Sequence, residues 1–263
     1  MNMLQARFLS LLAPLLICAS LTAFGCAPLN KGGESVAPSA KEKADFHYKL
    51  ATGLIYEKRP IAALRELEVS ISLDPTHSRA HYLKGFIYMG RNNFGEASVH
   101  FHRAIKLHPK LYEAHNGLAG CYLALKRWRD ALDTLDVLLK DPLNPTPWLA
   151  HNNAGWAYHN LGDRSRAVHH LETAVLLKPE FCLGYYNLGI VLKKRKRYDQ
   201  ARRRFEQARK RCPKYAPALL ELGDVYLTTA RFNKARDAYK RCVKVAEGTL
   251  IGDRCVTRQR NLP

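Results

Sequence analysis

The chain has 263 residues, 47% of them hydrophobic and 25% charged. That balance excludes a disordered polyelectrolyte and supplies enough apolar side chains for one large domain. Its 42 Lys and Arg against 23 Asp and Glu leave a net charge of +19, so the partners to consider first are anionic.

The first 26 residues differ from the rest. Arg7 is their only charge, and Phe8 to Phe24 form an apolar run broken by Pro14 and a few small polar residues. This reads as a secretory signal over 1–25, too short and too interrupted for a stable membrane span. Gly25 directly before Cys26 resembles a bacterial lipobox, which implies a diacylglyceryl group on Cys26 and cleavage that leaves Cys26 as the new N-terminus. Ala27 is not the aspartate that commonly holds such lipoproteins at the inner membrane. The resemblance therefore implies the periplasmic face of the outer membrane, with lipid as one partner. The other reading is an ordinary signal peptide cut nearby. Residues 26–43 carry Pro, Gly, Ser and charge with almost nothing apolar, and read as a tether spanning roughly 20–25 Å on average. A polybasic surface could add the second attachment signal that a single acyl anchor needs.

From residue 44 to about 250 one pattern recurs. In 151–179 it reads Ala154, Gly155, Tyr158, Gly162, Ala167, Leu171, Ala174 and Pro179. Small residues let two helices lie close, larger ones fill the space beside them, and proline stops the second helix. This spacing resembles a tetratricopeptide (TPR) unit, two antiparallel helices in about 34 residues. The same pattern gives Leu188, Gly189, Ala201, Phe205, Ala208 and Pro213 downstream, then Leu222, Gly223, Ala235 and Tyr239. Upstream it gives Gly85, Ala97, Phe101, Ala104 and Pro109, then Leu118, Ala119, Ala131, Leu135 and Leu138 in the third unit. The first unit is the most degraded, with Ala51, Leu54, Ala63, Leu67, Ser70 and Pro75. The expected fold is all-α, a TPR superhelix of six helix-turn-helix repeats with a two-residue slip after the third. Residues 251–263 form a short C-terminal cap.

Basic residues crowd the fifth unit, from Lys193 to Arg197 and on to Lys214. An export signal argues against nucleic acid, so lipid headgroups, an acidic partner or cell-wall polymer fit better, beside the plainer reading of a solvated helix face. Cys18 leaves with the signal, and five cysteines follow Cys26. An exported chain meets oxidising conditions. Cys182 opens the first helix of unit five and Cys212 closes the second, which antiparallel packing sets side by side. Cys242 faces the place where a capping helix from Gly252 onward would carry Cys255. The expected bridges are Cys182–Cys212 and Cys242–Cys255, with Cys121 free. His100 and His102 point to different sides of a helix, as do His169 and His170. With no HExxH, CxxC, GxSxG or phosphate loop, neither a metal site nor a cofactor nor a small-molecule substrate is expected, and no enzyme.

Stacked hairpins coil so that the first helix of each unit lines a concave wall. The repeat register puts Tyr48, Thr52 and Ile55 there from unit one, and Tyr82, Phe86 and Met89 from unit two. Asn116 and Leu123 follow from unit three, Asn152, Trp156 and His159 from unit four, and Leu183, Tyr186, Ile190 and Lys193 from unit five. Aromatics dominate binding hot spots, and such a groove suits an amphipathic helix or extended peptide. Each of these aromatics also has a core reading. The Lys/Asn set with which some TPR proteins clamp a terminal carboxylate is not reproduced.

A lipobox-like leader, a Pro/Ser-rich tether and six repeats accompany the string "DPLNPTPWLAHNNAGWAY" at Asp141 to Tyr158. Together they resemble the type IV pilus outer-membrane lipoproteins, the PilF/PilW/Tgl group of pilotins. The run from Pro217 to Cys255 looks most like the Tgl branch. The resemblance implies a protein that binds the pilus secretin subunit and promotes its assembly in the outer membrane, hence pilus biogenesis and motility. The alternative is a periplasmic TPR lipoprotein that scaffolds peptidoglycan-modifying enzymes.

Overall fold

The computed structural model describes residues 37–263, so the leader and the lipidation reading at Cys26 lie outside the described residues. Residues 38–263 form one compact unit. It holds thirteen helices and no strand among the described residues: α1 Ala40–Tyr56, α2 Pro60–Leu73, α3 Ser78–Gly90, α4 Phe94–Leu107, α5 Tyr112–Ala124, α6 Trp128–Lys140, α7 Pro147–Asn160, α8 Arg164–Leu177, α9 Cys182–Lys194, α10 Tyr198–Arg211, α11 Ala216–Thr228, α12 Phe232–Val245 and α13 Leu250–Arg260. α1 to α12 pair into six hairpins, and α13 packs on α11 and α12.

Helix ends follow local chemistry. α2, α4, α8 and α10 each stop two residues before Pro75, Pro109, Pro179 and Pro213, because proline pushes the residue before it out of the helical region. α1 corrects the tether boundary. It begins at Ala40 rather than near residue 44, because Ser39 and Glu42 close a capping box that satisfies two free N–H groups. α13 likewise starts at Leu250, two residues before Gly252, with the Thr249 hydroxyl accepting from Gly252 N–H. Each turn inside a hairpin needs one left-handed residue: Lys58, Asn92, Lys126, Gly162, Lys196 and Ala230. Only one of the six is glycine, the residue that adopts this conformation without strain.

The core repeats with the sequence. Ala63, Ala97, Ala131, Ala167, Ala201 and Ala235 are fully buried, and so are Leu67, Phe101, Leu135, Leu171, Phe205 and Tyr239, each four residues further along the same helix. A β carbon on Gly189 would lie 2.5 Å from the Phe205 ring, so this glycine sets how closely α9 and α10 approach.

Consecutive odd-numbered helices touch one another, whereas even-numbered helices touch only their odd neighbours. The odd helices are therefore the crowded inner wall of a curved solenoid, and the even ones are spread along its outer side. Cys182 and Cys212, with Cα atoms 6.2 Å apart, are joined at the base of the fifth hairpin. Cys242 and Cys255, 6.0 Å apart, tie α12 to α13. Cys121 is buried and unpaired, and burial pushes its thiol up to about 11.

The slip falls in residues 141–146, between α6 and α7, and this segment is fastened by its own side chains. The Asp141 carboxylate accepts from the Tyr112 hydroxyl at 2.7 Å and from Leu143 N–H at 2.8 Å. Those bonds hold its pKa below the usual carboxylate range, with Tyr112 the larger cause. Asn144 is buried. Its amide donates to the Leu138 carbonyl at 3.0 Å, while its oxygen accepts from Thr146 N–H at 2.9 Å.

Candidate functional site: the concave groove

The inner wall brings together the side chains that the register assigns to it, though not with equal access. In the first two units Tyr48 is partly buried with its ring 5.0 Å from His77. Tyr82 lies between Phe101 at 5.9 Å and Phe86 at 6.4 Å, and burial raises its hydroxyl pKa. Met89 packs against the cluster around Phe101 and Leu118. Phe86 remains 44% exposed. It is the one residue of this set that stands clear of the wall.

In units four and five the wall carries Trp156, its ring 5.3 Å from His159, then Tyr186 and Ile190, all partly buried. Tyr186 is held between Phe205 at 6.1 Å and Tyr215 at 5.5 Å. Burial, with Glu221 nearby, pushes its hydroxyl up to about 12. Lys193 does not offer a free charge here. Its ammonium donates to Glu221 at 2.7 Å and Asp224 at 3.4 Å on α11. Asp224 also takes the Tyr239 hydroxyl at 2.8 Å and faces Arg258 of α13 at 3.2 Å. The groove thus runs from mostly apolar in its first two units to an internally neutralised polar network at its end.

Two assigned wall residues belong elsewhere. Asn116 and Asn152 are buried, not displayed, because adjacent odd helices close over this register position. Asn116 donates to Thr146 at 3.1 Å, linking unit three to the inserted segment. Asn187 donates to Asn152 at 2.9 Å across the next interface. The inserted segment is therefore part of the wall's support, through Tyr112, Asn116 and Asn144. Its Asp-x-Leu and Asn-x-Thr turns are legible in sequence as side chains folding back on the backbone two residues on.

The histidines pair between helices, an arrangement that spacing along one helix does not reveal. His81 and His100 have Nδ1 atoms 3.5 Å apart, and His151 and His170 have theirs 3.1 Å apart. His81 Nε2 lies 3.3 Å from the Pro75 carbonyl. A carbonyl only accepts, so that nitrogen carries the proton and His100 donates across the pair. His115 makes the equivalent bond to the Pro109 carbonyl at 2.9 Å. The rings of His81 and His115 pin α3 and α5 to the loops before them. No group of three or more metal-ligating side chains occurs among the described residues, and no described helix is long and apolar enough to cross a membrane.

A one-dimensional stack of helical hairpins with a lined inner wall defines an α-solenoid of the kind that binds other polypeptides. Three family profiles described as tetratricopeptide repeat match residues 88–151, 150–181 and 181–248. The chain is a tetratricopeptide repeat protein. Its fold is similar to the crystal structure of PilW, a type IV pilus biogenesis factor, with a TM-score of 0.73 at 19% identity over 81% of this chain and 98% of that one. It is also similar to Pseudomonas aeruginosa PilF, with a TM-score of 0.68 at 17% identity over 83% of this chain and 98% of that one. A chain of the APC/C hetero-tetramer Cut9–Hcn1 structure gives a TM-score of 0.71 at 19% identity over 82% of this chain but 43% of its own. Human tetratricopeptide repeat protein 6 is 24% identical over 139 residues, 53% of this chain, and the chain spans about a quarter of its length.

Proposed function

We propose that this protein is a lipid-anchored TPR factor of type IV pilus assembly, acting as a pilotin. In this reading an acyl group on Cys26 holds it at the outer membrane. Its concave wall covers an apolar, membrane-seeking segment of the pilus secretin subunit until the subunits form their ring, and no bond is made or broken. The observation that carries the reading is the extent of the fold similarity: 98% of the PilW chain and 98% of the PilF chain superpose on 81% and 83% of this one. The lipobox-like leader and the Asp141–Tyr158 string support it independently, and the run from Pro217 to Cys255 favours the Tgl branch.

Covering apolar surface is what the first two units are built for. Phe86 projects into the groove, and Tyr82 and Met89 form a floor already packed against Phe101. A fixed floor with one projecting ring loses little side-chain freedom when a partner docks. The test is the heat-resistant secretin oligomer on a gel, in cells carrying Phe86→Asp or, as a control on the outer side, Val99→Asp. Both positions are well exposed, at 44% and 61%, so both variants keep their helical signal. Loss of oligomer with Phe86→Asp alone is expected. Unchanged oligomer would rule out this wall as the docking site.

A further inference from the structure

Charge is distributed unevenly along the solenoid. Residues 193–263 hold 21 Lys and Arg against 7 Asp and Glu, a net +14 of the whole chain's +19. Only five of those 21, Lys193, Arg202, Arg204, Arg231 and Arg258, lie within 4.0 Å of a carboxylate. The rest are uncompensated, and like charges held together oppose the folded state. One edge of this region carries more than charge. Leu176, Lys210 and Lys244 occupy one repeat position, 34 residues apart, in the last turns of α8, α10 and α12.

That these last turns share an edge follows from bonds between them. The Arg211 guanidinium donates to the Pro179 carbonyl, Cys212 is bridged to Cys182, and the Cys242 disulfide sulfur lies 3.6 Å from the Ala216 carbonyl oxygen. Lys214 lies exposed in the loop between α10 and α11, and Leu250, at the start of α13, is 84% exposed; Leu176 is 78% exposed. Helix dipoles explain one cation per last turn. They do not explain Lys214, nor two leucines left in water beside the lysines.

From this edge we infer a contact with a membrane: the C-terminal units dock on anionic phospholipid headgroups. Lysines supply attraction while Leu176 and Leu250 reach the acyl boundary, the combination that holds interfacial helices. Two disulfides place the chain in an oxidising compartment, where phospholipid surface is abundant and nucleic acid is not. The cleft beside Lys210, lined by Arg203, Glu206, Gln207, Arg209 and Pro213, opens to solvent, and the cations continue past it to Lys214 and Lys244 rather than converging on one peptide-sized pocket. The inference goes beyond the pilus reading and does not rest on it.

The experiment is co-sedimentation of the chain beginning at Ala27, which keeps every described residue and no acyl group. The vesicles are phosphatidylglycerol–phosphatidylcholine or phosphatidylcholine alone. Binding is expected to the anionic vesicles only and to weaken with salt. Joint Lys210→Gln, Lys214→Gln and Lys244→Gln should lower it by about a hundredfold in the additive limit, at about fivefold per cation. Leu250→Ser, at a position too exposed to matter for folding, should lower it about tenfold without changing its salt slope. Equal binding to both vesicle types, or an unaffected triple variant, would overturn the inference. Retention of polyglutamate or duplex DNA without vesicle binding would overturn it in favour of those partners.

Discussion

The two disulfides make the sharpest demand on this structure. Replacing Cys182 and Cys212 with serine opens a loop closed across 30 residues, and replacing Cys242 and Cys255 opens one across 13. Loop-closure entropy puts these at about 3.5 and about 3 kcal/mol in the chain-entropy account of cross-links. The losses should not look alike, because a repeat array unfolds by neighbouring units rather than all at once. Without Cys242–Cys255, α13 loses its covalent tie and the Arg258–Asp224 contact frays with it. Hydrogen exchange should then quicken in α13 and α11 while α1 to α8 stay protected. Without Cys182–Cys212, opening should begin inside the array, at α9 and α10, and lower the midpoint of the whole C-terminal half. Thiol counting on the chain from Ala27 supplies the direct check. Native protein should show no reactive thiol, because burial pushes Cys121 up to about 11. Unfolding without reductant should release one thiol, and reduction should release five. Five reactive thiols before reduction, or serine variants that melt with the parent, would refute both bridges and the stability argument built on them.

Ala230 sits at φ 54° in the turn between α11 and α12, so Ala230→Gly should stabilise by about 1 kcal/mol, read as a raised denaturant midpoint. Asn144→Ala removes the donor to the buried Leu138 carbonyl and should cost about 1–3 kcal/mol, with exchange first accelerated at Leu138 to Ala150. His100 and His170 are both held down to about 4, mainly by burial and secondarily by neighbouring cations and histidines. Their native forms resist protons that the unfolded chain accepts from pH 6.5 downward, so stability should fall as pH drops from 6.5 toward 4. His100→Gln with His170→Gln should flatten that slope in thermal melts; an unchanged slope would mean that other groups set it.

Much of the fold was legible because the contacts between hairpin helices are chemically stereotyped. An alanine or glycine faces a large side chain at the hairpin crossings, as Gly189 faces Phe205, and a proline stands two residues after the end of the second helix in units one to five. The start of α1 was less legible because a capping box of Ser39 and Glu42 looks, in composition, like the polar tether before it. The histidine pairs were invisible for a different reason. Metal-ligand and catalytic patterns are sought within one element, whereas His81 and His100 meet across a hairpin, 19 residues apart.

The wall itself shows where a repeat register stops being informative. Register fixes which side chains point inward; it does not fix how far the next unit's rotation carries a neighbour over them. Asn116 and Asn152 are closed over, Tyr82 is half covered by Phe101, and Phe86, one helical turn on from Tyr82, is left standing out. Partial cover is not a defect in a binding wall. A ring wedged as Tyr82 is between Phe101 and Phe86 has few rotamers left to lose, so a docking apolar segment gains contact area at small entropic cost. A fully exposed ring would offer more area and forfeit more of it in ordering. The arrangement in units one and two combines both, a fixed floor and one free anchor. Truncating that anchor should therefore slow no folding step and instead shorten the lifetime of whatever complex forms there, because interface substitutions act mainly on dissociation.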